Sequence, residues 1–342
     1  MKILIYARPF FPSIGGIEEI TRILATGLVE RGCQVVLITK TGINNSVYVK
    51  ENFPFKILRN PNWSVVMKEF NRCDIFMMQG PSIRMFYPFL INPLKRVVFV
   101  HHMCKPTSGL SGIIIKIVSR FVHNVTVSNY VGKSMGLKKY KVIYNCYDEK
   151  IYKNYGIVRT SDLGYRGNIS EVKGCITLIN AFELFKNAIK SHAKLYLIGK
   201  LQPYSNIVLV RARQSKYCND IIFIDRSGHK EACDYLNHIK IAIMPSDCNE
   251  AFGISTLEMM ASGCYLIGSD GDGIKEAMNG CGMLFKKGDA FDLCKKIIEA
   301  SNLSDLEIQK NNQKAQEWLS QLTTDKVCDR YYDYFLSLSK TK

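Results

Sequence analysis

The sequence predicts an α/β protein built from two Rossmann-like, doubly wound domains that face a cleft. Short apolar runs alternate with helix-length segments from one end of the chain to the other, as in parallel sheets covered by helices. The 342 residues are enough for two domains of ordinary size. Near residue 147 the alternation lapses into a polar, aromatic and poorly periodic stretch, and then it resumes.

In chain order, strands are expected at residues 3–6, 35–39, 75–78, 97–101, 125–127 and 142–144. Each is a short apolar run followed by turn-forming or polar residues. Between the first two, residues 16–31 predict a helix with Ile17, Ile20, Leu24 and Leu28 along one face. Residues 147–164 read as the link between domains. Beyond them strands are expected at 195–198, 221–224, 239–244 and 265–268, and the chain ends in helices that include 319–336. The domains are therefore set at 1–150 and 160–320, with residues 321–342 a helix that returns to the first domain. No internal repeat or low-complexity segment interrupts this order.

Composition narrows the function. Hydrophobic residues make up 47% and charged residues 22%, and no apolar run approaches the ~18 residues of a membrane span, so an ordinary soluble protein is expected. The opening residues read as a buried strand, not as a signal peptide. Twelve cysteines without any Cys-x-x-Cys pair read as reduced thiols of a cytoplasmic protein. Charge is uneven: residues 1–150 hold 21 Lys and Arg against 8 Asp and Glu, and the remainder holds 25 against 22. A basic first half predicts an anionic partner there, with simple solubility as the alternative.

The most informative stretch is residues 249–263, Asn-Glu-Ala-Phe-Gly-Ile-Ser-Thr-Leu-Glu-Met-Met-Ala-Ser-Gly. An apolar strand runs into Pro245 and Ser246, a loop carries Glu250, and a helix opens near Gly253 and stops at Gly263. Unpaired N–H groups at a helix start seat phosphate, and carboxylates accept hydrogen bonds from sugar hydroxyls. Such a site suits a sugar attached to a nucleotide diphosphate; two solvated acids on an ordinary helix are the alternative.

This stretch resembles the E-x7-E signature of the retaining glycosyltransferases of family four, which have the GT-B fold. The resemblance runs from about residue 3 to residue 297. It implies that Glu250 bonds hydroxyls of the transferred sugar and that Phe252, Gly253, Ile254 and Ser255 line the donor near the sugar and phosphates. Glu258 would hold the ribose. Residues 165–174 resemble the family's Gly-Arg…Lys-Gly segment, so Lys173 would offset charge on the departing diphosphate. Asn168 stands where a second cation, arginine, is expected. Arg166, two residues earlier, would share its face if a strand continued. The Gly15–Gly16 loop at residues 12–18 would approach the donor phosphates through Gly16. His101, favoured over His102, would lie close to the transferred sugar, with a structural histidine as the alternative. Asn145-Cys146 and Gly199-Lys200-Leu201-Gln202 depart from the family's usual residues and leave the nucleotide base open.

The expected enzyme is thus a nucleotide-sugar-dependent hexosyltransferase that transfers with retention to a glycan or lipid-linked acceptor, in cell-surface polysaccharide or glycolipid synthesis. The resemblance implies that it would use no cofactor and no metal. Residues 113–123 are expected to form an apolar helix with a solvated stripe of Lys116, Ser119, Arg120 and His123. The alternative is a basic surface on which Lys116 and Arg120 meet an acceptor or anionic membrane. That would place the protein in the cytoplasm, on the inner membrane face. A competing reading is a catalytically silent GT-B relative or a nucleic-acid binder using the basic half. The chain shows no helix-turn-helix or aromatic–basic pattern, and no nucleic acid is expected.

Overall fold

The computed structural model describes residues 1–13, 15–42, 52–103, 109–202, 205–225 and 228–340. Two units divide the chain, one comprising Met1–Cys146 with Thr324–Lys342 and the other Tyr147–Thr323.

Unit 1 is built on seven strands: β1 Lys2–Ala7, β2 Gln34–Thr39, β3 Lys56–Arg59, β4 Ile75–Gln79, β5 Arg96–His101, β6 His123–Thr126 and β7 Lys141–Val142. All pairs are parallel, in the order β3-β2-β1-β4-β5-β6-β7. The central strand β4 is buried at every position, as expected for a parallel sheet covered on both faces. The helix Gly16–Glu30 buries Ile20, Leu24 and Leu28, as its spacing predicts, while Ile17 is only partly covered. Against it packs the last helix, Thr324–Lys340, where Cys328 faces Gly27 and Arg31 pairs with Asp329 at 2.7 Å.

Unit 2 repeats the plan with β8 Thr160–Arg166, β9 Leu195–Gly199, β10 Ile221–Asp225, β11 Ile239–Met244, β12 Tyr265–Ser269 and β13 Met283–Phe285. These are again all parallel, in the order β10-β9-β8-β11-β12-β13. Strand order reverses between β8 and β11. In an open α/β sheet, ligands bind at the carboxyl ends of the strands flanking such a reversal.

Four expectations need correction. Residues 160–164 are not linker; they open β8, a central strand disguised by its polar start Thr-Ser-Asp and by Gly164. The helical stretch expected over 319–336 is interrupted, because Asp305–Leu319 ends there in a turn and the last helix begins only at Thr324. The helix expected over 113–123 spans Leu110–Val118, so Ser119 and Arg120 lie in the following turn and His123 opens β6. Its polar stripe is solvated at Lys116, Arg120 and His123 and buried at Ser119, but the apolar remainder is not core: Leu110, Ile113, Ile114 and Ile117 are exposed too, with Gly112 and Ile115 buried. Strands β3 and β13 are edge strands too short and too mixed in character to stand out in the sequence.

Candidate active site

Strand β11 delivers Pro245 and Ser246 to the carboxyl edge of the sheet, where the chain turns through residues 247–253 into the helix Ile254–Ala261. Gly253 caps this helix at φ +81°, a left-handed conformation that a side chain strains. Phe252 is buried below the turn and anchors it. Gly263 is left-handed as well and ends the helix, its N–H bonding to the carbonyl of Met260 at 2.9 Å. The N–H groups of Ile254 and Ser255 stand where helix geometry supplies no intrahelical acceptor. Thr256, one residue further, carries a buried hydroxyl that has no hydrogen-bond partner.

Lys173 reaches this loop because Gly174 lets it. At φ +71° the Gly174 backbone passes so near Pro245 that a Cβ would lie 1.8 Å from the Pro245 carbonyl oxygen. Beside it, the N–H of Cys248 donates to the Val172 carbonyl at 3.0 Å, which stitches the two loops together. The Lys173 ammonium consequently forms an ion pair with Glu250. Burial works against the charged lysine, but Glu250 outweighs it and holds the group above the usual lysine range. Gly273 donates its N–H to the Glu250 carbonyl at 2.9 Å and fixes the loop from the other side.

Glu258 sits one turn into the helix, 7% exposed, and belongs to a second polar group. Arg166, the last residue of β8, places Nε 3.5 Å from Glu258 Oε2 and donates from Nη2 to the Tyr152 hydroxyl at 3.4 Å. His229 Nδ1 is 3.7 Å from Glu258 Oε1 and 2.9 Å from the Tyr152 hydroxyl. Burial disfavours the Arg166 charge, and Glu258 reverses the effect, leaving the guanidinium above its ordinary range. Burial, and after it the Glu258 charge, pushes the Tyr152 phenol well up.

Asn168 is exposed, and its carbonyl accepts the Tyr165 hydroxyl at 2.8 Å. Because β8 ends at Arg166, the alternation that would align Arg166 with residue 168 does not continue. His229 and Tyr152 were not singled out in the sequence. The available signal was position: His229 opens the helix His229–His238 after β10, on the carboxyl side of the sheet, and Tyr152 is an aromatic residue in the stretch read as linker.

Unit 1 holds the other expected residues. Gly16 begins its helix, but Glu18 is already at that helix start, accepting from the Ser13 hydroxyl at 2.7 Å. Ile14, in the same loop, lies outside the described residues. His101 ends β5 and is 1% exposed, with Nε2 2.9 Å from Asn124 Oδ1. Asn124 gives its amide protons to backbone carbonyls, including that of Ser119 at 2.7 Å, so its oxygen faces the ring and Nε2 carries the proton. That leaves His101 Nδ1 as a buried acceptor without a partner. Burial lowers the His101 pKa, with Asn124 opposing. His102 Nε2 lies 2.6 Å from Gln79 Oε1, and burial followed by the neighbouring His101 lowers its pKa to about 4. Lys116 and Arg120 are exposed.

Residues 160–302 match the family described as glycosyl transferases group 1. That segment is thus similar to group 1 glycosyltransferases. The matched segment lies wholly within unit 2 and contains Arg166, Lys173, Glu250 and Glu258. No curated protein matches the chain by sequence. Solved structures share its fold, the GT-B pairing of two parallel-sheet α/β domains. A glycosyltransferase from Rickettsia africae ESF-5 is 16% identical, with 100% of this chain and 99% of that chain covered and a TM-score of 0.83. Anabaena HepE in complex with UDP and glucose is 16% identical over 98% and 100% of the two chains, with a TM-score of 0.79. Sucrose-phosphate synthase from Thermosynechococcus elongatus is 15% identical over 100% of both, with a TM-score of 0.78. Among the described residues, no cluster of His, Cys, Asp and Glu could hold a metal ion, and no helix is long and apolar enough to cross a membrane.

Proposed function

We propose that the protein is a retaining glycosyltransferase of the GT-B type, moving a hexose from a nucleotide-diphosphate sugar to a glycan or lipid-linked acceptor. The observation that carries this reading is the pairing of Lys173 with Glu250 beside the start of the Ile254–Ala261 helix, at the strand-order reversal of unit 2. HepE, a structural relative, was solved with UDP and glucose and with UDP-glucose, which supports a nucleotide-sugar donor.

In this reading the diphosphate lies against the N–H groups of Ile254 and Ser255 and competes with Glu250 for the Lys173 ammonium. Glu250, released from the lysine, accepts hydrogen bonds from hydroxyls of the transferred sugar. Glu258, held by Arg166, accepts from the ribose. The resemblance adds Gly16 for the donor phosphates and His101 for the transferred sugar. The bond between the anomeric carbon and the diphosphate oxygen breaks as the acceptor oxygen bonds to the same face. The acceptor proton passes to the departing diphosphate, whose charge Lys173 offsets. No metal and no cofactor enters this scheme. The setting is synthesis of cell-surface polysaccharide or glycolipid by a cytoplasmic enzyme at the inner membrane face, with Lys116 and Arg120 on the acceptor or membrane side.

Nucleotide release measured across UDP-, GDP- and ADP-sugars tests the reading. One donor should turn over, and Glu250→Ala and Lys173→Ala should each slow turnover by roughly a hundredfold or more. Full activity in both variants would remove the site.

A further inference from the structure

In unit 1, the turn after the helix Leu110–Val118 and the segment 136–141 enclose a pocket of about 670 Å³. Lys116, Arg120, His123, Lys138, Lys139 and Lys141 line it, and among the described residues no aspartate or glutamate does. Five cationic side chains around one opening repel one another, and an anion relieves that repulsion. Lys116 is also held close to the segment, its Nζ 3.5 Å from where a Cβ on Gly136 would stand.

The same helix turns its apolar side outward. Leu110 is 80% exposed, Ile113 57% and Ile117 49%, and Phe121 in the following turn is 71% exposed. Lys116 lies three residues from Ile113 and so borders this stripe on the helix surface. The preceding crossover continues the pattern, with Leu90, Ile91 and Leu94 all exposed. Right-handed crossovers from β4 to β5 and from β5 to β6 put both connections on one face of the sheet. They pack side by side there, since Ile83 and Phe86 of one line a small cavity with Ile114 and Val118 of the other.

An apolar stripe of this extent marks an interaction surface. A cationic border along it is the pattern of helices that lie in the plane of a lipid interface, with apolar side chains among acyl chains and cations at phosphates. We propose that this face docks on an anionic bilayer, the exposed side of the Leu110–Val118 helix entering the interface and the basic pocket receiving a lipid headgroup phosphate. For its purpose the inference rests on the transferase reading, because a lipid-linked acceptor would arrive from that surface.

Sedimentation with phosphatidylcholine vesicles, with and without phosphatidylglycerol, tests it. The chain should bind the anionic vesicles and stay off the neutral ones. Lys138→Ala with Lys139→Ala should weaken binding roughly fivefold for each charge removed. Ile113→Asp with Ile117→Asp should abolish binding while the melting temperature holds, since both positions are exposed. Vesicle binding unchanged in both double variants would overturn the proposal. So would binding of inorganic pyrophosphate by calorimetry without any vesicle binding, which would give the pocket to a soluble phosphate. A chain stabilised by UDP that ignores anionic vesicles defeats the docking surface alone. One that binds vesicles but no nucleotide defeats the transferase reading instead.

Discussion

Arg166 Nε stands 3.5 Å from Glu258 Oε2, joining the end of β8 to the first turns of the Ile254–Ala261 helix. The arginine nearest the expected second cation is therefore occupied with the carboxylate assigned to the ribose. Lys173 is the basic side chain paired at the loop beside the helix start.

Arg166→Met should destabilise the fold. Both partners are largely buried, with side chains 13% and 9% exposed, and removing one leaves a buried charge uncompensated. A loss of about 2–3 kcal/mol is expected in urea unfolding. Adding Glu258→Gln should return part of it, and a double-mutant cycle with no coupling would show that the pair is unimportant.

Lys173→Ala should lower kcat/KM by roughly 10²–10³-fold, the usual effect of removing one group that stabilises transition-state charge. Lys173→Arg should retain more activity than the alanine variant. The comparison is steady-state nucleotide release at saturating acceptor, and equal rates for wild type and alanine would exclude the leaving-group role.

Gly174→Ala should both destabilise the protein and damage the site. The left-handed backbone costs a side chain about 1–2 kcal/mol, and the Pro245 carbonyl stands where the new Cβ must go. Gly228→Ala is the control, with no atom within 4 Å of its Cβ position. Thermal melts and turnover should fall for the first variant and hold for the second.

Acid should weaken unit 1 through His102. Its folded pKa of about 4 lies below the unfolded value of about 6.5, so between those values the unfolded chain binds more protons. Stability from this group is complete above pH 6.5 and drains as pH falls toward 4, by up to about 3 kcal/mol. Urea midpoints at several pH values should show a shallower acid slope in His102→Gln than in wild type.

The strand, loop and helix around residues 239–263 were legible because their signals are local. A strand, a loop acid, a helix start and a second acid follow one another in sequence, and Lys173 is marked by the glycine beside it. What stayed hidden depends on residues distant in the chain. Thr160–Arg166 looks like loop because its polar start and Gly164 obscure the alternation, although β9 and β11 flank it on both sides. Arg166, Tyr152 and His229 converge on Glu258 from three separate segments, and no spacing announces that. The Leu110–Val118 helix is apolar nearly all round, so periodicity could not say whether Ile113 or Ile115 faces inward.

The last helix, Thr324–Lys340, completes unit 1 although it follows all of unit 2 in the chain. A ribosome therefore finishes the second sheet before the first has its full cover, and the Gly16–Glu30 helix must wait for its partner until unit 2 has been made. Expression of residues 1–146 alone would leave that flank bare, so any split of the gene into working halves has to graft the terminal helix back onto the amino-terminal piece.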